Sequence, residues 1–344
     1  MEAYLGFLIF SFIVSSLAIV PFINMLYQMK FRRRKQQTID TGGEKAKEFD
    51  KMHNWKAGTP VGGGLLIILV VTVLFFLMYP MLRRFGVPIT SAYNVHWEML
   101  IVFLTFISFG LLGLYDDFLK SFGYARTGFF GLRLKHKFAI QWLLALITSM
   151  LLYFELGIDI LPISSTNLVL DLGWIYIPIA AFIIVGFANS YNITDGLDGL
   201  SSGLLMICLF VFWAISSSSL DTILSLFIAL WLGALIAFLY FNIYPARLWV
   251  GDVGSLAFGA TLAVVGLLIG KIVVLFIIGA IFIAEGLSSL AQILSKKYLG
   301  RRILPVAPFH LTLQKLGWEE PKIVARAWLL GITLGVFGLW LATM

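Results

Sequence analysis

The chain has 344 residues, 60% of them hydrophobic and only 12% charged, with a formal net charge of +7. Soluble domains carry about 25% charged residues, so this composition, with a mean hydropathy of +0.95, excludes an ordinary soluble enzyme. The apolar runs are continuous rather than alternating, which excludes a β-barrel and leaves an all-α polytopic membrane protein.

In chain order the apolar runs predict about ten transmembrane helices, near 3–29, 61–82, 97–115, 138–155, 173–188, 199–216, 221–241, 254–270, 272–294 and 323–343. The first is followed by the basic cluster KFRRRK at 30–35. A cleaved leader carries its charge ahead of the run, so this one is read as a retained span. The stretch HNWKAGTPVGGG at 53–64 leads into the second helix. Its Lys56, with Gly58, Thr59, Pro60 and three glycines, can hold a phosphate, and a plain loop ahead of a helix is an equally good account. The third helix ends on Asp116 and Asp117 in GLYDDFLK. Between the fifth and sixth lies ANSYNITDGLDGLSSG, 188–203, where Asp195 and Asp198 stand three apart and share a face on a helical turn. Cys208, in the sixth, is the one cysteine, so an intrachain disulfide is excluded. Asp252 follows the seventh, in the Gly-Asp-x-Gly-Ser run 251–255 that opens the eighth. A helix N-terminus there offers backbone N–H groups to phosphate oxygens. The ninth carries Glu285, Ser288 and Gln292 at i, i+3 and i+7. Such a polar stripe faces either a cavity or a neighbouring helix.

Basic residues set the expected orientation. Segments 30–56, 120–137, Arg247 and 296–326 carry 22 of the 25 Lys and Arg, and all lie on one side of ten spans. Arg83, Arg84 and Lys271 fall on the other. Positive charge marks the cytoplasmic side, so both termini are expected outside. The net charge then reads as topology and contact with anionic membrane lipid, with no nucleic acid as partner. On the same reading the three aspartate clusters share the cytoplasmic ends. Carboxylates gathered at one depth beside lysines suit a divalent cation and phosphates, and five exceed what one magnesium ion takes.

The runs KAGTPVGGG, GLYDDFLK, NSYNITDGLDGL, FNIYPARLWVGDVGSLAFG and APFHLTLQKLGWEEPKIVARAW stand in the order found in the polyprenyl-phosphate N-acetylhexosamine-1-phosphate transferases. The chain resembles that superfamily from about residue 53 to its end, and most closely its phospho-N-acetylmuramoyl-pentapeptide branch. The resemblance implies one integral membrane transferase domain over 1–344, in the bacterial inner membrane, multi-pass, with a cytoplasmic active site, Mg2+ as cofactor and a homodimeric state. It implies transfer from UDP-MurNAc-pentapeptide to undecaprenyl phosphate, giving lipid I and UMP in peptidoglycan synthesis. Asp252 matches the magnesium ligand, with Asp195 as the second metal contact. Asp116 matches the carboxylate proposed to activate the lipid phosphate, with Asp117 beside it. Asn189, Asn192, Asp195, Asp198 and Asn242 match substrate contacts, and Lys56, Thr59, Lys120, Lys137 and His310 match positions that hold phosphates or nucleoside.

The C-terminal loop departs from the pattern. The superfamily carries consecutive histidines after Ala-Pro-aliphatic, whereas here Leu311 and Thr312 follow His310, and Gln314 stands for a glutamate. Val61-Gly62, Tyr244 and Val253 also depart from it. If the altered loop no longer reads the muramoyl-peptide, a sister enzyme using UDP-N-acetylglucosamine is the alternative, and restoring histidines at 311 and 312 is expected to be tolerated. A transporter is the rival from another class. Against it, the carboxylates sit at helix ends rather than at mid-depth on interrupted helices.

Overall fold

The computed structural model describes residues 2–32, 58–122, 132–163 and 168–344. Helices dominate: α1 Glu2–Gln28, α2 Gly63–Met78 with a 3-10 extension Tyr79–Phe85, α3 Val95–Phe122, α4 Leu134–Phe154, α5 Tyr176–Thr194, α6 Leu200–Ser218, α7 Thr222–Asn242, α8 Gly251–Leu268, α9 Ile272–Ile278, α10 Ala280–Leu299, α11 Phe309–Lys315 and α12 Glu320–Thr343. A two-stranded antiparallel hairpin, β1 Ile160–Ile163 and β2 Leu168–Asp171, joins α4 to α5. Nine helices among the described residues are long and apolar enough to cross a membrane, and a tenth span is counted if α9 and α10 form one.

That ninth span corrects an expectation. The run 272–294 reads as one helix, but the chain bends by 72° between α9 and α10, at Gly279. An added Cβ at Gly279 would meet Phe187 at 2.6 Å and the Leu275 carbonyl at 2.8 Å, so only glycine fits the break.

α8 is the pillar of the bundle. All of its residues are buried, and α3 and α5 pack along it. In lipid, helices gain little from apolar contact alone and associate through close packing and small residues. Gly113 on α3 shows this, because a Cβ there would overlap the Asp252 carbonyl. Deeper in the same layer, Trp231 on α7 packs against Phe106 on α3 and Phe258 on α8, with ring centroids 5.2 and 5.4 Å apart. α1 lies on α7 in the same manner, where Ser11 Oγ donates to the Leu230 carbonyl at 2.6 Å.

The two ends of the bundle differ chemically. At one end, Glu98 is fully buried near the start of α3, and Ser91 Oγ donates to its Oε2 at 2.5 Å. Asp221 caps α7 by accepting from Leu224 N at 3.0 Å. Glu98 and Asp116 stand 18 residues apart on α3, so the second acidic group lies about 27 Å away at a rise of ~1.5 Å per residue.

Asp221 lies outside the spans, and burial pushes its carboxyl above the usual range. A raised folded-state pKa stabilises the protein below the unfolded pKa, and that contribution is lost as pH rises through the folded value. Asp221→Asn keeps an acceptor at the helix cap and removes the titration. Its melting temperature in detergent should therefore gain on wild type, by on the order of a few degrees, as pH rises from about 4 to 7. Parallel melting curves would refute this.

Candidate active site

The polar cluster at the other end is built from the last turns of α3, the first of α4 and the first of α8. The expected end of the third helix, at residue 115, falls short by nearly two turns. The helix runs on to Phe122, which places Asp116 and Lys120 one turn apart with Lys120 Nζ 2.9 Å from Asp116 Oδ2. Lys120 Nζ also lies 2.8 Å from Asp252 Oδ2. Lys137 closes the ring from α4, 2.9 Å from Asp116 Oδ2 and in contact with Asp252 Oδ2. The carboxylates are nearly sealed, with Asp116 and Asp252 exposed by 2% and 6%, whereas the lysine side chains are 23% and 13% exposed. The ammonium groups are thus the face that an arriving anion meets.

Asp117 does different work from its neighbour. It points about 100° away around α3, and its Oδ2 accepts from Val253 N at 3.0 Å. It therefore caps the first turn of α8, which takes up one of the N–H groups that the sequence offered to phosphate. Gly251 makes this approach possible. It sits at φ 77°, and a Cβ there would meet Asp117 Oδ2 at 2.6 Å.

For the glycine-rich stretch ahead of α2 the structure favours the second of its two accounts, a loop that leads into a helix. Gly62 N and Gly63 N both donate to the Trp249 carbonyl, at 3.2 and 2.8 Å, and Gly64 N donates to Val250 at 2.9 Å. The three glycines strap α2 to the segment just before Asp252, so their N–H groups do not cradle a phosphate. Thr59 precedes this strap, half-buried, and Lys56 lies outside the described residues.

The last turns of α5 are tied to the same end of α8. Asn192 Nδ2 donates to Ser255 Oγ at 2.6 Å, tying α5 to α8 one turn beyond Asp252. Asn189 Nδ2 donates to Gln141 Oε1 at 2.7 Å. Asp195 Oδ1 accepts from Ser201 Oγ at 2.6 Å. Asp198, 4% exposed, accepts from Ala246 N at 2.9 Å, while its own N–H donates to Glu320 Oε1 at 2.6 Å. Asn242 is equally enclosed, taking a bond from Ser202 Oγ and giving one to the Leu248 carbonyl. Asp198 and Asn242 therefore hold loops around the site. Gln141, Ser255 and Glu320 were not singled out from sequence. A lone glutamine in the apolar α4 was the one available signal for the first of them.

The polar stripe on α10 resolves into a staple. Gln292 binds Ile303 N, Leu304 N and the Leu304 carbonyl. Ser288 Oγ accepts from Phe309 N at 3.1 Å. Glu285 accepts from His310 N at 3.1 Å and pairs with His310 Nδ1 at 3.0 Å. The C-terminal loop is laid along α10 by side chains at i, i+3 and i+7.

Leu311 and Thr312 are buried there, 3% and 6% exposed, and the Thr312 hydroxyl donates to the Val306 carbonyl. The expectation that histidines are tolerated at these positions is therefore reversed. Leu311→His buries a ring whose nitrogens need partners, at a cost of about 1–3 kcal/mol. Its melting temperature should fall by several degrees, and an unchanged melt would show the loop to be looser than this packing.

Among the described residues, no three His, Cys, Asp or Glu side chains are placed to hold a metal ion by themselves. Magnesium does not require that. It keeps several waters and takes one or two protein carboxylates alongside substrate phosphates. Buried Asp252, with the half-buried Asp195 at the end of α5, can supply those one or two carboxylates.

Residues 99–270, which carry Asp116, Asp117, Asp195, Asp198 and Asp252, match the model of glycosyl transferase family 4. Several relatives that match over nearly their whole length bear the name phospho-N-acetylmuramoyl-pentapeptide-transferase. The protein from Caldanaerobacter subterraneus subsp. tengcongensis is 36% identical over 321 residues, covering 93% of this chain and 92% of that protein. The one from Desulfotalea psychrophila is 34% identical over 362 residues, 98% and 95% of the two chains. That from Bacillus subtilis is 32% identical over 335 residues, 97% and 96%.

Proposed function

Since the chain belongs to the phospho-N-acetylmuramoyl-pentapeptide transferases of glycosyl transferase family 4, we propose that it moves phospho-MurNAc-pentapeptide from its UDP-linked donor to undecaprenyl phosphate. The products are lipid I and UMP. The observation that carries this reading is the ring of Asp116, Asp252, Lys120 and Lys137 at one end of the bundle. A reaction between two phosphate anions needs fixed positive charge where the nucleophile and the leaving UMP meet.

The lipid phosphate oxygen attacks the sugar-bearing phosphorus, and the bond to the UMP oxygen breaks. Lys120 and Lys137 draw in both anions and offset the charge that develops on UMP. Asp116 orients these lysines toward the lipid phosphate. A monoester phosphate with a second pKa of about 6 is largely ionised at neutral pH, so little proton removal is needed. Asp117 keeps Asp252 in place by capping the helix that begins at Gly251. Magnesium, held by Asp252 with Asp195 as second contact, would supply a Lewis acid for the diphosphate.

The basic residues described at this end, Lys120, Arg133, Lys135, Lys137 and Arg247, support a cytoplasmic site in the bacterial inner membrane. A homodimer belongs to the same reading, and the mass of the detergent-purified protein tests it. The reaction is tested with purified protein, undecaprenyl phosphate, Mg2+ and a panel of UDP-sugars, reading UMP release. UDP-MurNAc-pentapeptide should be turned over and UDP-N-acetylglucosamine left intact. The converse result would replace this reading with the sister reaction.

A further inference from the structure

The turn from Asp195 to Gly199 is held at both ends, and the two holds are of different kinds. Its far end is fixed by backbone bonds. Asp198 N donates to Glu320, and Trp328 Nε1 donates to the Gly199 carbonyl at 3.2 Å. Its near end has Gly196 pressed against an imidazole edge. A Cβ built on Gly196 would lie 2.5 Å from His310 Nε2, 3.0 Å from Cε1 and 3.6 Å from Cδ2.

His310 is 1% exposed, and its Nε2 has no hydrogen-bond partner among the described residues. The ring therefore meets the turn by shape, and its place is set from the other nitrogen, which is bound to Glu285. Glu285 is itself 4% exposed and anchors the His310 backbone N–H with the same carboxylate. A carboxylate buried this deeply is expensive unless paired. Spending it on a histidine of the loop gives the loop one fixed distance from α10.

We propose that Glu285 is a positioning residue. By fixing the His310 ring against Gly196 it sets the turn that carries Asp195 and Asp198, and thereby how tightly the nucleotide donor is held. The link to the donor rests on the transferase reading above, whereas the link from Glu285 to the turn does not.

The test uses the full-length protein in detergent with Glu285→Ala, Glu285→Gln, His310→Ala, Gly196→Ala and the double variant Gly196→Ala with His310→Ala. Amide exchange by mass spectrometry reads the turn without any assay. Exchange across 195–199 should quicken at least about tenfold in Glu285→Ala and stay near wild type in Glu285→Gln, which keeps an acceptor for His310 N. In UMP release, Glu285→Ala should raise KM for the nucleotide donor at least about fivefold and leave KM for the lipid phosphate unchanged. Gly196→Ala should be as impaired as Glu285→Ala. The double variant should be no worse than its worse parent, because the methyl group then has no ring to strike. Unchanged exchange in the turn, multiplicative effects in the double variant, or equal rises in both KM values would each overturn the proposal. A wild-type protein that releases no UMP would sink the transferase reading alone, since the exchange measurement would still decide the role of Glu285.

Discussion

Asp252→Asn should lower turnover by more than about 100-fold while the protein melts within a few degrees of wild type. The two expectations separate because of where the residue sits. The amide has nearly the same shape as the carboxylate, and the backbone around it is fixed independently by Asp117 on Val253 N and by the contact of Gly113 with the Asp252 carbonyl. What changes is charge. Lys120 and Lys137 both lie on Asp252 Oδ2, and an amide oxygen leaves them an excess of positive charge beside Asp116. The site then binds phosphate without a carboxylate to share magnesium, so binding of a UDP-sugar should persist while chemistry stops. Turnover within a few-fold of wild type would remove Asp252 from the site.

Asp116→Asn is expected to be nearly as damaging, again by more than about 100-fold in kcat/KM. Asp116 is the acceptor shared by both lysines, and its second oxygen takes Leu132 N at 2.7 Å. It therefore fixes the entry to α4 as well as the lysine pair. The informative comparison is with Asp159→Asn and Asp171→Asn, placed at the hairpin between α4 and α5. Both should stay within about twofold of wild type, as surface substitutions away from a site do. If the hairpin pair mattered as much as Asp116, the polar end of the bundle would not be where the reaction happens.

Most of the membrane architecture was legible because hydropathy is a long-range average that few residues can upset. The carboxylates were legible because so few charges occur in an apolar chain that each is conspicuous. What stayed hidden was decided by pairing. The last two turns of α3 look like loop by hydropathy, yet Lys120 holds Asp116 and Asp252, so charged residues stay helical. Gly279 breaks its span, but in a sequence of many helical glycines nothing marks that one as a bend. The run Gly62 to Gly64 suited a phosphate loop and a plain helix entry equally, because composition alone does not separate them. Trp249, some 190 residues away, claims two of those N–H groups, and no local pattern reports it. His310 was legible as a loop histidine, whereas its burial depends on Glu285 one helix earlier.

The enclosure of α8 on every side bears on how the chain is assembled during synthesis. A nascent chain that ends before Gly251 has α2, α3 and α5, the helices that pack along α8, in the bilayer with the place of α8 unfilled. Fatty-acyl chains fill such a gap poorly, because its walls are stepped by Gly110, Gly113 and the rings of Phe106 and Trp231. The helix that must displace them is modestly apolar and opens on Asp252, so it enters the membrane on the strength of the receiving wall rather than its own hydrophobicity. Substitutions along α3 that close the notch at Gly113 should therefore surface first as poor yield and rapid degradation of new chains, before any purified enzyme is slow.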